Sequence, residues 1–122
     1  MMKTVKLVRK HDQCVIASKA GVAEHYWTRL KGLIGRTSFH EGEAMLFPRC
    51  NSIHMWMMQI PIDAVFLKKT DQEWRVMSLH PDLKPWKPLP VGNLKADDVL
   101  ELPAGSIERL GIKSGEVLCI VS

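Results

Sequence analysis

Between Gly42 and Phe66 the chain reads GEAMLFPRCNSIHMWMMQIPIDAVF. Most of these residues are core types, and Cys50, Asn51, His54 and Asp63 are set among them. A stretch this apolar, broken by Pro48 and Pro61, has the layout of short strands. Those strands either carry a small polar site or are simply buried.

The rest of the chain follows the same pattern. Val5 to Val8 and Cys14 to Ala17 read as strands around a turn at Asp12. Further strands are expected at Ala44 to Phe47, Ser52 to Met58, Ile62 to Leu67, Trp74 to Leu79, Asp98 to Leu102 and Glu116 to Val121. From Gly21 to Arg36 the period changes. Val22, Tyr26, Leu30 and Leu33 fall at helical spacing, predicting one amphipathic helix of about three turns. Ser106 to Leu110 reads as a short helical turn ended by Gly111. His80-Pro81, Pro85, Pro88 and Pro90 are too dense for a helix or a central strand, so this part is expected to be an extended loop lying over a surface.

These readings predict a mainly β fold. A compact β-barrel or sandwich fits, with one amphipathic helix and a short helical turn. A doubly wound α/β fold is disfavoured because strands do not alternate with helices. At 122 residues the chain is expected to be a single domain, 1–122, with enough core to fold without staples.

Charge narrows the partners. Seventeen basic residues against thirteen acidic ones leave a net charge of +4, and the basic residues are scattered. That argues against nucleic acid and anionic membranes as partners. The three cysteines have no CxxC spacing, which argues against structural zinc and against a disulfide scaffold. The N-terminus shows no apolar leader core, and no stretch matches a membrane span, so a cytoplasmic location with reduced thiols is expected.

His54 reads either as a core histidine with one or two hydrogen bonds or as a ligand or general base. Asp63 reads either as a turn or bulge residue capping backbone N–H groups or as a carboxylate facing a pocket. If Met58 pairs with Asp63, His54 and Asp63 share a face; one residue of slip separates them. The His54-Met55-Trp56-Met57-Met58 run suggests Cu(I) ligands, but alternation sends Met55 and Met57 away from His54, and no metal or cofactor is expected. Cys50 beside Arg49 is an activated nucleophile or, more ordinarily, a buried thiol. Trp86 either anchors its loop to the barrel or covers a pocket mouth. No nucleophile elbow, P-loop, GxGxxG or HExxH is present.

Several segments together resemble a known family. They are Gly32-Leu33-Ile34-Gly35-Arg36, Gly42 to Phe47, Ile53-His54, Met58, Pro61 to Leu67, Val99 to Gly105, Leu110-Gly111-Ile112 and Gly115-Glu116. In order and spacing they are similar to the bacterial and archaeal domain of unknown function 192 family, from about Ala17 to Val121. The resemblance implies a small, mainly β domain with a barrel-like or sandwich body, short helices and no established activity. It also implies recurring polar positions at Arg36, His54, Asp63 and Glu101. Many members are exported or membrane-anchored, and the missing leader here agrees with a cytoplasmic form. Met55, Met57 and Glu116 depart from the family pattern.

Three functions follow as expectations. The first is binding of a small polar or anionic ligand near His54 and Asp63, with Arg36 as charged anchor and Glu101, Asn51 and Trp86 completing the site. The second is a hydrolase-like enzyme with His54 or Asp63 as general base. The third is an interaction module that docks through the loop from Pro81 to Pro90, with an unknown protein partner.

Overall fold

A computed structural model describes residues 3–24, 38–55, 58–86 and 89–121. Among them, seven strands close a barrel and two short ones pair outside it. β1 (Lys3–Arg9) and β2 (Val15–Val22) form an antiparallel hairpin. Its turn is fixed by Asp12, whose Oδ1 accepts the Cys14 N–H at 3.0 Å, the Asx geometry expected of that residue. β3 (Glu43–Phe47) runs parallel to β2. Then come β4 (Ser52–Ile53), β5 (Ile62–Thr70), β6 (Glu73–Leu83), β7 (Val91–Gly92), β8 (Asp98–Pro103), a helical turn α1 (Ser106–Leu110) and β9 (Val117–Val121). Around the barrel the order is β1-β2-β3-β8-β5-β6-β9, closed by β9 against β1. The fold is mainly β, as expected, and the barrel is the correct alternative.

Alternation along each strand builds two cores. Leu7, Leu46, Val65, Leu67, Val76, Leu100, Leu102 and Leu118 fill the barrel interior. The opposite faces of β3, β5 and β8 supply Met45, Phe47, Ile62, Ala64, Phe66 and Val99 to a second cluster outside it. This explains the unbroken apolar run of β5, where Ile62 to Leu67 are all buried: both faces of the strand are covered. The outer cluster is roofed by Ile53, Met55, Met58, Ile60, Val91 and Ala96. These come from two connections, one between β3 and β5 and one between β6 and β8. Antiparallel pairing of β4 with β7 joins the two into a flap.

Three elements differ from expectation. The strand expected from Ser52 to Met58 shrinks to Ser52–Ile53, because its apolar residues serve as roof and not as sheet. β6 continues to Leu83, taking in His80 and Pro81. Pro81 is tolerated there because the β5–β6 register shifts between Ile62 and Ala64. β2 runs to Val22, so Gly21 and Val22, expected to open the helix, are strand. The rest of that helix falls mainly at 25–37, outside the described residues.

Candidate functional site

Asp63 lies in the wall of the barrel, wholly buried, opposite Leu102 on β8. Its Oδ1 accepts the N–H of Asp82 at 2.8 Å and of Gly105 at 3.2 Å, and its Oδ2 accepts the N–H of Ile107 at 2.8 Å. One carboxylate thus ties the end of β6 and the first turn of α1 to β5. Gly105 precedes the helix with φ 94, a left-handed conformation that suits glycine, and its side offers no cap. Asp63 provides the missing acceptor from the strand next to β8. This matches the capping role weighed for Asp63, drawn from long range instead of from its own turn.

His54 follows β4 on the flap and is exposed. Because β4 pairs with β7 and not with β5, the register question between His54 and Asp63 takes a different form. The two residues sit in different layers, and the fold does not bring them together. Asn51, also exposed, holds the flap through its carbonyl, which accepts the Asn93 N–H at 2.9 Å. Trp86 donates its backbone N–H to the Met55 carbonyl at 3.0 Å, pinning the second connection to the first. Its side chain is 54 % exposed, beside Leu89 at 68 % and Leu94 at 95 %. Cys50 donates its thiol to the Ser52 carbonyl at 3.1 Å, while the Arg49 guanidinium turns away to the Glu24 carbonyl at 2.9 Å. That arrangement does not activate a thiol. Met55 and Met58 are buried in the outer cluster while His54 is exposed, so the three do not converge on one ion. Arg36 and Trp56 lie outside the described residues.

Glu101 is only 7 % exposed. It stands on β8 between Met45 of β3 and Ala64 of β5, on the outer-cluster side of the wall. Burial pushes its carboxyl up to about 8, and among the described residues no cation or hydrogen-bond donor offsets that burial. At neutral pH the group is therefore mostly protonated.

The same row continues to a residue whose role the sequence does not signal. Ala64 is opposite Glu101 on one side and His80 of β6 on the other. With strands about 4.8 Å apart, the Glu101 and His80 backbones are about 10 Å apart with only a methyl group between. His80 Nε2 is 3.1 Å from Ser78 Oγ, and Asn93 donates Nδ2–H to that Oγ at 3.0 Å. The Phe66 ring meets the imidazole edge-on, with centroids 5.3 Å apart at 89°. Burial lowers the His80 pKa, favouring the neutral ring. Ser78, His80 and Asn93 carry no motif. The available signal was two-residue alternation, and proline neighbours masked it by marking His80 as loop.

A family model described as "DUF192: Uncharacterized ACR" matches residues 7–120. The chain belongs to the domain of unknown function 192 family. This DUF192 barrel is similar to a proposed transcription regulator from Sinorhizobium meliloti 1021, at 22 % identity and a TM-score of 0.82 over 98 % of this chain and 94 % of the other. It is also similar to a protein of unknown function from Novosphingobium aromaticivorans DSM 12444, at 27 % identity and a TM-score of 0.78 over 96 % and 84 %. The first likeness, at its low identity, speaks for the fold alone. No curated protein matches the chain. Among the described residues of this DUF192 domain, no helix is long and apolar enough to cross a membrane.

Proposed function

We propose that this DUF192 domain binds a small polar molecule on the outer face of its barrel, beneath the flap, with Glu101 as the polar group on the floor. The observation that carries the reading is the Glu101 carboxyl, 7 % exposed, for which no hydrogen bond or ion pair is found among the described residues. Such a group is costly to keep, and a ligand that hydrogen-bonds to it repays the cost. Protonated Glu101 offers one donor and one acceptor, which suits a neutral polar group. His54, Asn51 and Trp86 belong to the flap and would form the rim of such a site. Asp63 would support it from within the wall. As a general base Asp63 is disfavoured, because three backbone N–H groups already occupy its oxygens. An anionic ligand would need Arg36 as its anchor.

Native mass spectrometry of gently purified protein tests this reading. The expected result is a reproducible small extra mass that Glu101→Leu loses while the barrel still folds. A bare wild-type mass speaks against it. An extra mass of protein size, lost when Leu89 and Leu94 become Ser, would favour the interaction reading, which rests on their exposure on the flap.

A further inference from the structure

We propose that Ser78 is a nucleophile toward ester carbonyls, with His80 as its general base. The pair lies on the outer face of β6 and goes beyond the binding reading.

A bulge makes the pair. In the β5–β6 ladder Leu67 faces Val76 and Phe66 faces Ser78, so Met77 is an extra residue on β6. Val76 points into the barrel with Trp74, and Leu79 packs against that same interior core. Without the bulge, plain alternation would send Ser78 and His80 inward with Val76. With it, both turn outward, two residues apart on one face. The bulge is itself held in place: Gly115 donates its N–H to the Val76 carbonyl at 2.7 Å, and Ser114 Oγ donates to the Met77 carbonyl at 3.2 Å.

The hydrogen bonds around Ser78 are directional. Asn93 Oδ1 accepts the Lys95 N–H at 2.9 Å, which fixes the amide so that its NH₂ faces Ser78. Asn93 fills one lone pair of Oγ, and the Ser78 hydroxyl can donate to His80 Nε2, 3.1 Å away, in the tautomer that leaves that nitrogen unprotonated. A neutral imidazole with its proton on Nδ1 accepts it. The edge contact with Phe66 holds the ring in that orientation. Nucleophile, base and a group that orients the base are thus within contact, which is the general requirement for an activated serine. Ser78 and His80 are only partly buried, so the pair remains open to a substrate.

The reaction this permits is ester hydrolysis. Oγ attacks the ester carbonyl carbon as its proton passes to Nε2. The bond to the alcohol oxygen then breaks, and the alcohol leaves with that proton. Water, deprotonated by His80, attacks the acyl-serine, releasing the acid and restoring Ser78. Ester and water become acid and alcohol, with no other reactant.

The test is labelling of the full chain with diisopropyl fluorophosphate, followed by peptide mass spectrometry. Here Oγ bonds to phosphorus, fluoride departs, and His80 takes the proton. The expected result is one diisopropylphosphorylated site at Ser78, absent in Ser78→Ala and formed about 100-fold more slowly in His80→Gln. An equal rate in a folded His80→Gln would remove His80 as base and overturn the proposal. A wild-type chain without a Ser78 adduct overturns it regardless of how the variants fold.

Discussion

Two carboxyls buried in one barrel wall meet opposite fates. Asp63 accepts three backbone N–H groups, whereas burial of Glu101 goes unrelieved among the described residues. Replacing Asp63 with Ala leaves the buried Ile107 N–H unpaired, at a cost of about 1–3 kcal/mol, and frees the part-buried N–H groups of Asp82 and Gly105. Asp63→Ala is therefore expected to lose about 1–3 kcal/mol in urea unfolding; a change below about 1 kcal/mol would contradict the staple. Glu101 behaves in the other direction. Its folded-state pKa is raised from the ordinary 4.5 to about 8. Below 4.5 the group is protonated in both folded and unfolded states, and its full stability is present. As pH rises toward 8 only the unfolded chain ionises, so stability falls by up to about 1.4 kcal/mol per pH unit. Above 8 the loss is complete. Glu101→Gln cannot ionise, so its melting temperature should pull ahead of wild type between pH 5 and 8. Parallel curves over that range would show that Glu101 is not buried as a neutral acid.

At the scale of elements, the flap is the weakest piece of sheet. β4 and β7 share two residue pairs, Ser52 with Gly92 and Ile53 with Val91, whereas β5 and β8 share six. Local opening follows such differences, so the amides of 51–53 and 91–93 should exchange with deuterium well before those of β5. Gly92 is the critical residue in the pairing. A Cβ there would sit 2.9 Å from the Asn51 carbonyl oxygen and 3.0 Å from Ser52 Cβ. Gly92→Ala should therefore loosen the flap by about 1–2 kcal/mol while leaving the barrel's slow-exchanging amides unchanged. Uniform acceleration across the barrel would mean that the flap is not a separate unit. Most strands were legible from β-branched and aromatic runs between turn residues. β4 and the end of β6 were not, because an apolar roof resembles a strand and a proline at a register shift resembles a loop.

For the whole molecule, the two-layer construction explains what a linear reading met only as excess apolar content. Met55, Met58, Ile60 and Phe66 are more core-type residues than one barrel interior uses, and the second cluster outside it accounts for them. The candidate site was half legible in the same sense. Asp63 stood out as an acid in apolar surroundings and Glu101 only through the family resemblance, whereas Ser78, His80 and Asn93 look ordinary along the chain.

The amino-acid sequence by itself determined the family, the mainly β class, most strand positions and the Asp12 turn. The class, strands and turn depend on local preference and two-residue alternation, which any short window carries, and the family on the order and spacing of segments along nearly the whole chain. Only the tertiary structure decided that the sheet closes, that Asp63 caps a helix 44 residues away, and that one bulge turns Ser78 and His80 outward. Strand register and long-range hydrogen bonds depend on which segments meet, and that is a property of the packed whole.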